Sequence, residues 1–197
     1  MNDRVLKHTE AHKLEDPDRL TWLPPAEVLA PLRITEGTKV ADVGAGTGYF
    51  SIPLAVAVGV SGHVFAIDLQ HEMLEVLQGK LNSPDAPRNI SLHQAAASLI
   101  PLPDASVELA FYANVWHELD DYDSVFREAQ RIVVSGGSIA ILDWRRDKNP
   151  PPGPPREHRI PADAVVSFLR AHGCDCVSWQ NVGAFGYIAT AELPSHN

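Results

Sequence analysis

The sequence predicts an α/β fold: a sheet of seven strands, largely parallel, with helices on both faces. Short β-rich runs alternate with longer segments of helical spacing from Lys39 to the end of the chain. The first run passes into a glycine-rich turn, Gly44-Ala45-Gly46-Thr47-Gly48, and the second ends on an acid, Asp68. Repeated strand–helix alternation favours parallel strands covered on both sides.

Taken in order, residues 1 to about 18 are polar, lack periodicity and read as a flexible tail. LTWLPPAEVLAPL then brings apolar spacing behind Pro24 and Pro25, which suit a helix start, and reads as a capping helix. KVADVG is the first strand, a helix is expected from about 49 to 58, HVFAIDL is the second strand, and a helix follows over about 71–81. ISLHQA, a loop at IPLPDAS, the strand VELAFYA and a helix near 124–132 come next. A turn at Gly136-Gly137 is expected before the strand GSIAILDW. The prolines of RRDKNPPPGPPREHRIP forbid regular structure, so a long loop separates that strand from the helix ADAVVSFLRAHG and the strands CDCVSWQNV and FGYIATAEL. A single domain over 1–197 is expected: tail and capping helix (1–35), ligand-binding core (36–145), proline-rich lid loop (146–161), and C-terminal helix with strand pair (162–197).

At 197 residues, with 45% hydrophobic, the chain builds one full core. Its formal charge of −9 repels phosphate backbones and anionic membranes and favours a cationic ligand, so neither nucleic acid nor membrane is an expected partner. No run of about 18 apolar residues is present to span a bilayer, and the polar start has no signal-peptide core, so a cytoplasmic location is expected. Cys174 and Cys176 are expected on opposite faces of a strand, as reduced thiols.

The chemistry is concentrated in VADVGAGTGYF. Glycines at a strand-to-helix turn let a ligand lie on bare backbone beside the free N–H groups of a helix start. Dinucleotide folds use G-x-G-x-x-G here, but the place of their third glycine is held by Tyr49, and the third glycine falls one residue early, at Gly48. Asp42, two residues before the turn, would repel a pyrophosphate and attract an ammonium. Asp68, 20 residues past Gly48, suits two ribose hydroxyls, with Leu69 packing on an adenine.

These motifs resemble class I S-adenosylmethionine-dependent methyltransferases, which carry D-x-G-x-G-x-G after the first strand and an acid ending the second. The resemblance covers about residues 20 to 193 and includes IDLQHEML, IPLPDASVELAF and RIVVSGGSIAILDW. DPDRLTWLPP, IDLQHEM, WHEL, LDWRR and PPGPP together resemble a small bacterial branch distantly similar to quinone-biosynthesis and arsenite methyltransferases. The resemblance implies a Rossmann-like doubly wound sheet, mostly parallel with the last strand antiparallel. S-adenosyl-L-methionine would be the cofactor and S-adenosyl-L-homocysteine the product. Cofactor contacts would fall on Asp42, Gly44, Ala45, Gly46, Thr47, Gly48, Asp68, Leu69, Met73, Ala96, Ala97 and Asn114. The chain departs from the pattern at Gln94-Ala95-Ala96-Ala97, where an acid near the adenine is common, and at Ser135, where proline is usual.

Methyl transfer from a sulfonium asks mainly for alignment and exclusion of water. His117, ending the fourth strand, is the first candidate for a general base and Asp143, ending the fifth, the second. Trp116 and Trp144 are candidate apolar walls, Arg145 or Arg146 candidate anion holders, and the proline loop with His158 and Arg159 a candidate lid working with the N-terminal segment. No metal is expected, because HELDD lacks a second histidine at zinc spacing. Two thiols are too few for arsenite, and Asn149-Pro150-Pro151-Pro152 lacks the aromatic of amino-methylating motifs. A small-molecule acceptor is expected, and a homodimer is compatible with the sequence. A non-catalytic cofactor-binding module and a nicotinamide-dependent oxidoreductase remain as alternatives.

Overall fold

The computed structural model describes residues 5–148 and 153–194. Strands β1 (Lys39–Val43), β2 (His63–Asp68), β3 (Ile90–Gln94), β4 (Val107–Ala113), β5 (Val133–Trp144), β6 (Asp175–Val182) and β7 (Gly186–Glu192) form one sheet, ordered β3-β2-β1-β4-β5-β7-β6. β7 is antiparallel to both neighbours, and the other pairs are parallel. The Rossmann-like doubly wound sheet with an antiparallel last strand is therefore the observed fold.

Alternation along the strands divides the core. Ala41, Val43, Ala110, Tyr112, Ile139 and Ile141 face one side, under α5 (Tyr122–Ile132) and α6 (Ala162–Ala171). Val40, Leu109, Phe111, Ala140 and Leu142 face the other, under α2 (Pro25–Leu29) and α3 (Ser51–Ala57). α4 (His71–Leu81) covers the β2 end through Leu77 and Leu81, which pack with Ala45 and Ala66. Asp121 caps α5 by accepting the Ser124 N–H at 3.0 Å, so this helix starts two residues earlier than periodicity predicts.

Three expectations change. The segment expected as a flexible tail is laid down on the core over residues 5–18: His8–Lys13 form a 3-10 turn, and a short helix, α1 (Arg19–Trp22), precedes α2. Gly136-Gly137 is no turn before a strand but an irregularity within β5, because Val133 already pairs with Val107 and pairing resumes at Leu109 with Ser138. Gly136 takes φ +77° there. The cysteines do differ, Cys174 buried and Cys176 exposed, but strand alternation is not the reason. Residues two apart in a regular strand share a face; Cys174 precedes β6, and Cys176 breaks the regularity with φ +52° where the pairing of β6 with β7 shifts. The described part of the proline loop is fastened beside the end of β5. Buried Arg159 donates to the carbonyls of Pro154, Arg145 and Lys148. Asn149-Pro150-Pro151-Pro152 lies outside the described residues.

Candidate cofactor and substrate site

A cavity of about 900 Å³ opens at the carboxyl ends of β1, β2 and β4, where the chain leaves β1 in opposite directions across the sheet. Crevices at such switch points are the usual ligand sites of open α/β sheets. The structure brings to its wall Asp42, Gly44, Ala45, Gly46, Thr47, Asp68, Leu69, Met73, Ala96, Ala97 and Asn114. Gly48 alone of the expected cofactor residues lies off the wall.

The glycines earn their positions sterically. Gly44 has φ +76°, and a Cβ there would stand 2.7 Å from Val115 Cγ2 at the end of β4. Gly48 has φ +85°, and a Cβ there would run into Leu77 of α4, so this residue sets the packing that lets the turn enter α3. Backbone N–H groups of Gly44 and Ala45 both donate to the Ile67 carbonyl, at 2.8 and 2.9 Å, tying the turn to the end of β2.

The acids differ in how they are satisfied. Asp68 accepts the Gly46 N–H on Oδ2 at 2.8 Å and the Gln70 N–H on Oδ1 at 2.9 Å, while burial pushes its carboxyl above the ordinary range. Asp42, 1% exposed, accepts the Ser51 hydroxyl on Oδ2 at 2.5 Å, but its Oδ1 is buried without a partner. Burial pushes Asp42 up to about 7, against the pull of Ser51 and with a smaller push from Asp68. Asn114, at φ +56°, is held by its N–H on the Leu142 carbonyl at 2.8 Å, and its Nδ2 is likewise buried without a partner. Of four such stranded side-chain atoms among the described residues, those of Asp42, Asn114 and Arg19 belong to the cavity wall, and only Tyr112 Oη does not. Stranded buried polar atoms are costly, and their gathering in one cavity marks a place for a polar ligand.

His117 and Asp143 are brought together, but behind the wall rather than on it. His117 Nδ1 donates to Asp143 Oδ1 at 2.8 Å, and the His117 and Trp144 backbone N–H groups donate to the same carboxylate at 2.9 and 2.7 Å. Both residues are buried. Trp116 is in the core, stacked on Tyr122, and Trp144 packs on Trp22 with ring centroids 5.5 Å apart. Arg145 forks onto Asp147. None of these lines the cavity.

Of three further contributors to the wall, Glu118 and Arg19 were assigned no part by the sequence, and the N-terminal segment was expected there as part of a lid. Glu118, the neighbour of His117, faces the cavity, and burial pushes its carboxyl up to about 7, opposed chiefly by His117. Residues 5–9 cross the mouth as a strap: the Leu6 N–H donates to Glu118 Oε1 at 3.0 Å, the His8 N–H to Gln70 Oε1 at 2.8 Å, and Gln70 Nε2 to the Leu6 carbonyl at 2.7 Å. Arg19, in the quoted DPDRLTWLPP, is the third. Glu118 and Gln70 lie inside WHEL and IDLQHEM, so the motifs pointed at them without assigning a part.

Residues 41–141 match the family described as Methyltransferase domain, and the chain belongs to that family. A solved S-adenosylmethionine-dependent methyltransferase from Aquifex aeolicus superposes with a TM-score of 0.89 at 31% identity, covering 96% of this chain and all of the other. Demethylmenaquinone methyltransferase of Listeria welshimeri is 32% identical over 124 residues, 63% of this chain and 52% of its own. The ubiquinone/menaquinone biosynthesis C-methyltransferase UbiE of Hahella chejuensis is 32% identical over 117 residues, 59% of this chain and 47% of its own. The chain spans about half the length of the curated relatives it matches. The family and its solved neighbour imply S-adenosylmethionine as cofactor and S-adenosylhomocysteine as product. The residues fit that molecule: a stranded acid oxygen for an ammonium, a paired acid ending β2 for a ribose, and bare glycine backbone between them. No helix among the described residues is long and apolar enough to cross a membrane.

Proposed function

We propose that the protein transfers a methyl group to a small-molecule acceptor held in the same cavity as the cofactor, within one domain over 1–197. The observation that carries this reading is the buried, unpartnered Oδ1 of Asp42 on the cavity wall, an acceptor of a kind that a cationic ligand satisfies. S-adenosylmethionine, when bound, would supply an electrophilic methyl group on its sulfonium. Asp42 would hold the ammonium of its methionine portion and Asp68 its ribose, with Leu69, Ala96 and Ala97 beside the adenine and Met73 on the same wall. The strap of residues 5–9, rather than the proline loop, excludes water above them.

An acceptor that arrives protonated loses its proton as the new bond to carbon forms, and Glu118 is positioned to take it. Its carboxyl faces the cavity and titrates near 7, where a general base is most effective. His117 Nε2 lies 3.9 Å from Glu118 Oε1 and its Nδ1 is fixed by Asp143, so His117 and Asp143 serve as positioning residues behind this base. Glu118→Gln should lower kcat by at least about 100-fold while leaving cofactor affinity within twofold; an unchanged kcat removes Glu118 from the mechanism. The relatives named for demethylmenaquinone favour a flat aromatic acceptor, and Leu6, Val115, Leu119 and Val125 offer it an apolar wall.

A non-catalytic cofactor-binding module is the second reading, and His117 and Asp143 standing off the wall favours it. Calorimetric titration with S-adenosylmethionine, S-adenosylhomocysteine and NAD, against an Asp68→Ala control, tests both. Micromolar binding of the first two, lost in the variant, supports the cofactor site, and turnover with quinol-like acceptors separates enzyme from module. A preference for NAD overturns the reading in favour of an oxidoreductase.

A further inference from the structure

Arg19 opens α1 and is 6% exposed on the cavity wall. Its guanidinium lies 3.9 Å over the Tyr49 ring, and Nη1 donates to the Leu14 carbonyl at 3.3 Å. Nε is buried with no partner, and no carboxylate among the described residues forms an ion pair with it. Glu15, the nearby acid, is spent on the Thr47 hydroxyl and on Lys80 Nζ at 2.7 Å. A buried guanidinium without a counter-ion is costly, and burial pulls its pKa down to about 10.

The same cavity wall therefore carries a buried cation without an anion and, at Asp42, a buried carboxylate oxygen without a donor, and the two do not pair with each other. A free α-amino acid group brings the two missing charges on one carbon. Leu14, whose carbonyl Arg19 holds, packs against Gly46, with 3.2 Å from its Cδ1 to the place of a Cβ. Arg19 is thus tied through Leu14 to the glycine turn.

We propose that Arg19 receives the α-carboxylate of the cofactor's methionine portion while Asp42 takes the ammonium. This rests on the cofactor reading above. The carboxylate receptor then belongs to the same N-terminal segment that straps the mouth, and α1 is tied to the glycine turn a second time where the Tyr49 hydroxyl donates to the Leu23 carbonyl at 2.7 Å. Capture of the carboxylate and closure over the ligand become one event.

The test is calorimetric, on the full chain, with S-adenosylmethionine, its decarboxylated form and methylthioadenosine. The unaltered protein should bind the decarboxylated form about 10- to 100-fold more weakly, the range of a charge-assisted hydrogen-bonded pair. Arg19→Gln should weaken S-adenosylmethionine by a similar factor and leave the decarboxylated form within twofold, and Arg19→Lys should recover part of the loss. Should Arg19→Gln melt before binding is read, Arg19→Lys carries the same comparison. Equal affinity of the unaltered protein for both forms overturns the proposal, as does an equal loss for both in Arg19→Gln. Discrimination that survives in Arg19→Gln and disappears in Asn114→Ala assigns the carboxylate to Asn114 instead. If none of the three adenosyl ligands binds the unaltered protein, it is the cofactor reading itself that fails.

Discussion

The two halves of the sheet end differently at the same edge. Beyond β1, β2 and β4, polar side-chain atoms of Asp42, Asn114 and Arg19 are buried without partners around a cavity. Beyond β5 and β7, the Asp143 carboxylate meets three donors, and Trp22 packs on Trp144 and Phe185. Buried acids stand at strand ends in both halves, so an acid there does not by itself separate a binding site from a seal. What separates them is whether the hydrogen bonds are already made.

The comparison breaks most visibly at Asp143. Asp143→Ala leaves His117 Nδ1 and two backbone N–H groups buried without an acceptor, and chemical denaturation should record a loss of about 3–5 kcal/mol. A loss under about 1 kcal/mol would show that the closed half is not held by this network. Asp42→Asn should behave in the opposite sense: it removes a buried carboxylate that nothing but Ser51 satisfies. Stability at pH 8 without cofactor should rise, while S-adenosylhomocysteine binds about 10- to 100-fold more weakly.

Proton linkage sharpens the same contrast. Asp42 is raised from 3.8 to about 7, so the folded chain holds this proton more tightly than the unfolded chain. That contribution to stability is fully present below about pH 4 and is lost as pH rises through about 7. Melting curves of the cofactor-free protein and Asp42→Asn should therefore diverge with rising pH, the variant gaining. Cofactor affinity runs the other way, because the ammonium prefers the ionised acid, and should fall about tenfold per unit below pH 7 in the unaltered protein only. The smallest effect is expected on the far edge, where exposed Cys176→Ser should change stability by no more than about 0.5 kcal/mol.

Much of the open half was legible in the sequence because its geometry depends on particular residue types. Gly44 and Gly48 are required by positive φ and close neighbours, and Asp42 and Asp68 by their places at strand ends. Which of His117 and Glu118 faces the cavity was not legible, since both lie in a single 3-10 turn whose rotation is set by the Asp143 contact 26 residues away. The β5 irregularity was misread as a turn because Gly-Gly signals both equally well, and only the Val107–Val133 pairing decides. The N-terminal segment was expected over the site, but its ties escaped for a different reason: two use the backbone of Leu6 and a third the backbone of His8, which no side-chain pattern announces.

That dependence on main-chain atoms has a consequence for substitution. Residues 5–8 should accept most side chains in a saturation library without losing closure, with proline the exception. At position 6 or 8 its ring removes the very N–H that reaches Glu118 or Gln70.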